Sequence, residues 1–247
     1  MRVTATQLVT YWTCPFLWHA SSLPGATLSP PGARRRFGTL LHAAIAEYER
    51  GRGALGRALE FLEGRRAALS TREYAEARAV LLWRHEAARG RAGRPLLVEG
   101  ELRAFLGDHR LTVRVDRLDR DGDDLLLAEL KGGRSIDLRV VRVQLAILAF
   151  AVLDVFGRAP RRWSVELLRA RGVVEVPAET DPGALRRLPA QLLEGMLGGD
   201  REPRPYDPGF CGRCPARAYC PRGSASPEPL PARTQGAAAP QLPLFPS

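Results

Sequence analysis

The sequence predicts an α/β (α+β) fold, built as one large domain with a C-terminal tail. Apolar residues recur at helical spacing over about the first 90 residues, whereas apolar and polar residues alternate between residues 96 and 131. The long apolar stretch 137–157 then has the length of a helix. With 247 residues and 45% hydrophobic content, the chain can bury one sizeable core.

Helices account for the N-terminal part. Residues 4–20 have helical apolar spacing that breaks at Cys14-Pro15, and a proline-rich loop follows. A stronger helix ends at Gly51, with His42 beside its apolar stripe. That stripe consists of Phe37, Leu41, Ile45 and Tyr48. Two more segments, about 54–68 and 71–90, carry alternating Arg and Glu, which is typical of solvated helices.

Strands and a long helix follow. Three strands are predicted at 96–106, 110–119 and 124–131, joined by short polar turns that favour an antiparallel meander. The helix at 137–157 is apolar enough to pack across this sheet. One or two later strands are expected within 161–178, and a final helix at 181–198. Residues 223–240 are rich in Pro, Ala and Ser without apolar periodicity, which predicts a disordered linker.

The charge of the chain narrows the class of partner. A net charge of +10 favours a polyanion, because cationic side chains placed along phosphates release condensed counterions. Nucleic acid is favoured over a membrane surface, since the sequence shows neither a membrane span nor a signal peptide. We therefore expect a cytoplasmic protein. A Walker-type phosphate loop needs a Gly-Lys pair, which the sequence lacks, so any helicase would be a separate chain.

Acidic residues on two neighbouring predicted strands point to a metal site. In a strand, residues i and i+2 share a face, so Leu127, Glu129 and Lys131 project the same way. Asp116 lies on the preceding strand, and hairpin pairing would bring it near Glu129. Two carboxylates, a lysine and an imidazole converging at a sheet edge suit a hard divalent cation such as Mg²⁺. The alternative is a set of surface ion pairs of little energetic value.

Lys131 is the only lysine among the 37 basic residues. Its compact ammonium can give up a proton when buried or hold a hydroxide against a phosphate, whereas arginine is permanently charged and planar. A bound metal would polarise a phosphoryl oxygen and lower the pKa of a water molecule. A site that needs a titratable point charge would explain why this position is not arginine.

These segments resemble the PD-(D/E)XK nuclease superfamily over about residues 1–222. The stretch "VRVDRLDRDGDDLLLAELKGG" matches its Asp strand and Glu-x-Lys strand, "GTLLHAAI" resembles the histidine helix of the RecB-like branch, and "VQLAILAFAV" the helix that follows. The resemblance implies a restriction-endonuclease-like core, with a mixed central sheet flanked by helices. It implies catalytic Asp116, Glu129 and Lys131, and DNA positioning by Gln144. Mg²⁺ or Mn²⁺ would be held by His42, Asp116, Glu129 and the Leu130 carbonyl.

Three positions depart from the pattern of that superfamily. Leu148 stands where many relatives carry tyrosine, Val113 replaces a frequent glycine, and Gly132 follows the lysine instead of threonine. The expected metal ligands are unaffected. The departures bear on the positioning of DNA and not on hydrolysis.

All four cysteines fall into one pattern. Cys211, Cys214 and Cys220 form a tight trio, and Cys14 lies almost the whole domain away. Thiolates at such spacing bind zinc or an iron–sulfur cluster. The arrangement resembles the iron–sulfur frame of RecB-family exonucleases and CRISPR-adaptation nucleases, which favours [4Fe–4S] with zinc as the alternative. Either metal would join the N-terminal helix to the end of the domain.

The chain ends in a short apolar peptide, 241–247. Gln241, Leu242, Leu244 and Phe245 resemble the peptide with which bacterial repair and replication proteins dock on the sliding clamp. Two large apolar anchors on an extended backbone would fill a groove at low ordering cost. The alternative is an accidental apolar end on a disordered tail.

The leading hypothesis is a metal-dependent DNA nuclease, an exonuclease, acting in DNA repair or recombination. A CRISPR spacer-processing nuclease would use the same chemistry in another pathway. A non-catalytic DNA-binding module of the same fold is a third hypothesis, of a different class. The expected partners are DNA, the sliding clamp and a separate helicase.

Overall fold

The computed structural model describes residues 1–23, 28, 33–51, 53–88, 93–224 and 227. The chain forms two compact units, each made of segments distant in sequence. Met1–Ala5 and Pro31–Leu188 form the first unit, and Thr6–Pro30 and Pro189–Ser247 form the second. Most of the predicted linker and the whole 241–247 peptide lie outside the described residues.

Six strands of the first unit form one mixed sheet. They are β1 (Arg2–Thr4), β2 (Arg94–Leu106), β3 (His109–Asp121), β4 (Asp124–Lys131), β5 (Arg162–Leu167) and β6 (Gly172–Val176). The order is β1-β3-β4-β5-β6, and β2 also pairs with β3. The β1–β3 and β4–β5 pairs are parallel, whereas β2–β3, β3–β4 and β5–β6 are antiparallel. The predicted meander and the mixed sheet are therefore confirmed.

Two tight turns set the register of the central strands. Gly107 and Gly122 have φ of 57° and 58°, a backbone conformation that favours glycine, at the β2–β3 and β3–β4 turns. In the first hairpin Leu106 pairs with His109, and the register continues without a shift to Val98 opposite Arg117. The turns thus decide which side chains of the three strands are neighbours.

Seven α-helices lie in the described residues. They are α1 (Ala5–Thr13), α2 (Pro15–Ser21), α3 (Ala33–Arg50), α4 (Leu55–Glu63), α5 (Thr71–Ala88), α6 (Leu138–Phe156) and α7 (Pro182–Leu197). The predicted apolar stripe of α3 is buried in a core shared with α4 and α5. Helix α6 begins at the Asp137 N-cap, ends at Gly157 with φ 74°, and packs against β2, β3 and β4. None of the helices in the described ranges has the length and apolar character needed to cross a membrane.

The second unit joins the start of the chain to its later part. Cys14 is the N-cap of α2, immediately before Pro15. Two short 3₁₀ helices, Pro208–Arg213 and Arg217–Tyr219, carry or border the other cysteines. The Tyr206 N–H donates to the Thr13 carbonyl at 3.0 Å, and the Tyr206 ring stacks on Trp12 with 4.8 Å between centroids.

Candidate active site

Three carboxylates from adjacent strands form a row in the first unit. Val98 and Gly100 pair with Arg117 and Val115, so Glu99 of β2 lies opposite Asp116 of β3. Arg117 pairs with Ala128 across the next ladder, which by the same register sets Asp116 opposite Glu129 of β4. Cross-strand neighbours share one face of a sheet. Three negative charges are therefore concentrated at one point, which favours a cation there.

His42 of α3 completes one side of this row. Its Nδ1 lies 3.0 Å from Glu99 Oε1 and 3.5 Å from Asp116 Oδ1. One potential ligand atom from each of these three residues lies within 4.8 Å of the others. Glu99 also accepts a hydrogen bond from Arg114 Nε at 2.8 Å, so its carboxylate is held from both sides.

Asp116 and Glu129 are both buried and are supported differently. Asp116 Oδ2 accepts the backbone N–H of Leu130 at 2.8 Å, which ties β3 to β4 at the site. Glu129 Oε1 accepts hydrogen bonds from Lys131 Nζ at 2.8 Å and from Gln144 Nε2 at 2.6 Å. Its Oε2 is buried and has no hydrogen-bond partner among the described residues. A buried carboxylate oxygen without a donor is costly unless it binds something.

Lys131 and Gln144 form the other side of the site. Lys131 Nζ donates to Glu129 Oε1 and to Gln144 Oε1, each at 2.8 Å. Gln144 projects from the second turn of α6 and so connects that helix to β4. Two acceptors fix the position of the ammonium group, while 27% of the lysine side chain stays exposed to solvent.

The electrostatics of the site follow from burial and crowding. Burial alone would lower the pKa of His42, but the hydrogen bonds and charges of Asp116 and Glu99 raise it to about 10. Burial and then the Asp116 charge raise the pKa of Glu129 to about 7, although Lys131 opposes them. Burial would raise the pKa of Asp116, yet His42, the Leu130 N–H and Lys131 bring it below its usual value. The site thus resists carrying all of its negative charges at once.

The donor set fits a divalent metal ion. Carboxylate oxygens and an imidazole nitrogen are ligands that Mg²⁺ and Mn²⁺ accept. The unsatisfied Glu129 Oε2 and the raised pKa of Glu129 are both relieved by a cation, because a cation replaces the missing donor and offsets the charge. Of the four ligands expected from sequence, His42 and Asp116 cluster with Glu99, and Glu129 lies opposite Asp116 on the neighbouring strand, outside that cluster. The fourth, Leu130, is the residue whose N–H bonds to Asp116.

A comparison with models of protein families shows to which family the chain belongs. A family model described as the PD-(D/E)XK nuclease superfamily matches residues 2–221. The chain belongs to this superfamily. The membership covers nearly the whole described chain and gives the enzyme class as a nuclease.

Two solved structures are similar to this chain along most of its length. A structure named "Putative exonuclease", from Eubacterium rectale, matches with a TM-score of 0.52 at 10% identity, covering 86% of this chain and 87% of its own. The crystal structure of SSO0001 matches with a TM-score of 0.44 at 18% identity, covering 90% and 87%. A search of the curated proteins finds no match.

Two of the departures from the superfamily pattern have a packing explanation. Leu148 and Val113 are each 1% exposed, so these positions serve the core. The third departure, Gly132, has a steric explanation. A Cβ added at Gly132 would lie 2.9 Å from Gly38 Cα in α3, a distance that real structures avoid. Gly132 therefore lets the helix that carries His42 approach the end of the strand that carries Lys131.

Sequence reasoning missed Glu99. Its neighbours in β2 alternate regularly, but Glu99 has φ 48°, which is unusual for a residue other than glycine. Counting outward from the 107–108 turn pairs residue 99 with residue 116, so the signal was present in the hairpin symmetry.

The second unit gathers the four cysteines, all as free thiols. Cys14 lies in a small buried cluster with Leu17, Ala20 and Ala216, and Cys214 packs against that cluster. Burial raises the pKa of Cys214, with smaller contributions from the charges of Cys14, Cys220 and Cys211. Those contributions place the four sulfurs in one neighbourhood. A metal centre that bound these residues would deprotonate the Cys214 thiol.

Proposed function

We propose that this superfamily member is a metal-dependent DNA nuclease that hydrolyses phosphodiester bonds. One observation carries the proposal: Glu99, Asp116 and Glu129 form a row across three strands, with His42 and the lone lysine on either side of it. Glu129 Oε2 lacks a hydrogen-bond donor among the described residues, and a bound cation would supply the missing partner. The net charge of +10 suits a nucleic-acid substrate.

Each residue of the site has a role in the proposed reaction. A bound Mg²⁺ or Mn²⁺ ion would supply Lewis acidity to the scissile phosphate. Asp116, Glu129, His42 and the Leu130 carbonyl would hold that ion, and Glu99 would orient His42. Water adds to phosphorus, one ester P–O bond breaks, and the released oxygen takes up the proton that the water loses.

Lys131 would position the attacking water. Two of its three N–H groups are engaged by Glu129 Oε1 and Gln144 Oε1, which leaves the third to donate to a water or phosphate oxygen. Gln144 would hold this direction, since it bonds to both Lys131 and Glu129. The fixed ammonium group would then stabilise the negative charge that develops on the phosphate in the transition state.

The test is a metal-dependent digestion. Wild-type protein and Glu129→Gln are incubated with 5′- and 3′-end-labelled single- and double-stranded DNA in Mn²⁺, in Mg²⁺ and in EDTA. We expect cleavage by the wild type in metal alone and none by the variant. The labels report exonucleolytic or endonucleolytic action, and we propose the former. Absence of cutting by correctly folded wild-type protein under all these conditions would favour the non-catalytic binding module.

We also propose that the four cysteines hold a [4Fe–4S] cluster, with zinc as the alternative. Support comes from their assembly in one unit and from the apolar surroundings of Cys14 and Cys214. The cluster would be structural.

A role in DNA repair and docking to the sliding clamp remain proposals, as does a helicase on a separate chain. Repair and clamp docking rest on the resemblance of Gln241, Leu242, Leu244 and Phe245 to a clamp-binding peptide, and the separate helicase on the lack of a Walker-type phosphate loop in this sequence. A pull-down with purified clamp and a Leu244→Ala/Phe245→Ala variant tests the docking. Equal capture of the wild type and the variant by the clamp would contradict docking through this peptide.

A further inference from the structure

A large pocket lies beside the candidate active site in the first unit. Its volume is about 900 Å³, within the range of roughly 300–1,000 Å³ typical of pockets for nucleotide-sized ligands. It is lined by the C-terminal ends of α3 and α5, the first half of β2, and Arg117 of β3.

Helix α3 connects the pocket to the carboxylate row. Val98 and Arg117 line the pocket and adjoin Glu99 and Asp116 in sequence, but successive side chains of a strand point to opposite faces of the sheet. Glu49, also in its lining, lies seven residues after His42 on α3, an axial distance of about 10 Å. That distance corresponds to about three stacked nucleotides, each rising about 3.4 Å. A strand with its scissile phosphate at the row would therefore reach the pocket within a few nucleotides.

The lining combines apolar surface with cationic and aromatic groups. Pro95 and the 44% exposed Leu96 form part of an apolar wall, and Arg94 is exposed beside them. His85 lines the pocket as well and packs edge-on to Tyr48, with 5.9 Å between ring centroids. Apolar and aromatic surface for bases with arginine for phosphates is the usual composition of a single-strand binding groove.

The negative charge of the lining is compensated. Glu49 accepts a hydrogen bond from the buried Arg84 at 2.8 Å and also contacts Arg117. Arg117 donates to both carboxylate oxygens of Asp119 at 2.8 Å. The ionic network thus balances the charge of Glu49, while the exposed Arg94 adds positive charge; Arg50 is paired with Glu47 at 2.8 Å. The pocket therefore suits an anionic ligand that has an apolar part.

We propose that this pocket binds one or more unpaired bases of the DNA strand that is cut, a few nucleotides from the scissile phosphate. The proposal rests on the proposed nuclease function and adds a substrate class to it, single-stranded DNA or a frayed duplex end. A base inside a duplex is stacked and paired, so it cannot enter without being extruded. The strand preference thus follows from the pocket.

The experiment compares two matched double variants on one strand. Arg94→Ala/Leu96→Ala removes an arginine and an exposed apolar side chain at the pocket. Arg103→Ala/Phe105→Ala removes the same pair of types nine residues further along β2, about 30 Å away. Arg103 and Phe105 are 65% and 59% exposed, so both variants should fold, which thermal melting verifies.

Binding is measured by fluorescence anisotropy in EDTA, where no cleavage occurs. The probes are a labelled oligothymidylate, an abasic strand of equal length, and a duplex of equal length. We expect the pocket variant to bind oligothymidylate about tenfold more weakly, because it removes the Arg94 guanidinium and the exposed apolar surface of Leu96, both of which can contact a base. Its affinity for the abasic strand should change much less, and the control variant should bind all three like the wild type.

Three outcomes would contradict base binding in the pocket. The first is an equal loss of DNA affinity in both variants, and the second is an equal loss of affinity of the pocket variant for base-bearing and abasic strands. The third is an unchanged DNA affinity of the pocket variant. Cleavage in Mn²⁺ is scored separately. Base-dependent binding without cleavage would support base binding in the pocket and contradict the nuclease function. Cleavage with an unchanged KM in the pocket variant would support the nuclease function and contradict base binding in the pocket.

Discussion

The lone lysine of the chain is held by two acceptors, and this fixes the direction of its remaining N–H group. We predict that Lys131→Ala binds DNA like the wild type but loses cleavage by about a hundredfold or more, because removing one preorganised donor from developing charge costs about 10²–10³ in rate. Lys131→Arg should fail as well, since a planar guanidinium cannot occupy the same point between Glu129 and Gln144. Single-turnover cleavage and anisotropy separate the two effects. Undiminished cutting by a folded Lys131→Ala protein would remove lysine from the mechanism.

Glu99 gives a second prediction for a single residue. Replacing it by glutamine keeps its shape but removes the charge beside His42. We expect Mn²⁺ affinity to fall about 10–100-fold, the usual effect of losing a carboxylate behind a histidine ligand. Glu101→Gln, two residues along the same strand and 45% exposed, is the control and should bind Mn²⁺ like the wild type. Calorimetric titration measures both, and equal affinities would show that Glu99 only supports the strand.

The raised pKa values predict how pH affects the metal-free protein. Glu129 has a folded-state pKa of about 7 against about 4.5 unfolded, so its contribution to stability is lost as pH rises through this window. His42, raised from 6.5 to about 10, loses its contribution between those values. Denaturation in EDTA should therefore show falling stability from pH 5 to pH 8. Glu129→Gln should flatten the part below pH 7, and an unchanged profile in that variant would contradict the assignment.

At the scale of elements, one close approach sets the geometry of the site. The Gly132 position has no room for a Cβ because Gly38 of α3 lies against it, whereas a Cβ at Gly38 would meet nothing within 4 Å. We predict that Gly132→Ala displaces α3 from β4 and lowers cleavage strongly with a smaller loss of stability. Gly38→Ala is the matched control and should be neutral or slightly stabilising, because alanine favours a helix over glycine. Equal activity of the two variants would argue against this spacing role.

The same elements show what a sequence can reveal. Period-two alternation and Gly107 and Gly122 turns specify strands β2 to β4, so the Asp116–Glu129 pairing was predictable from local signals. The three-residue strand β1 was not, because it is too short for a period and exists only by pairing with residues 110–112 of β3. Glu99 was not predicted as a site residue because its role depends on contact with His42, 57 residues away in sequence. Contacts of this kind arise from tertiary packing, which no periodicity encodes.

For the whole molecule, the second unit depends on joining distant parts of the chain. Roughly 200 residues separate Cys14 from the trio, and closing so long a loop carries an entropic cost that a shared metal centre would offset. The few apolar side chains packed around Cys14 form a small core for such a unit. Metal binding should therefore contribute much of its stability.

The last prediction tests this dependence. Anaerobically purified protein should be brown, with about four iron and four sulfide per chain if the cluster is [4Fe–4S]. Cys14→Ser should lose iron and lower the Tm, because one of four thiolates is removed and the long loop opens. Ser22→Ala, whose hydroxyl donates to the nearby His19 carbonyl, is the control and should keep both. Colourless protein with one zinc ion per chain would replace the cluster by zinc but keep the loop closure. A metal-free protein with an unchanged Tm in Cys14→Ser would exclude a metal centre of either kind, because neither colour nor stability would then depend on the thiols.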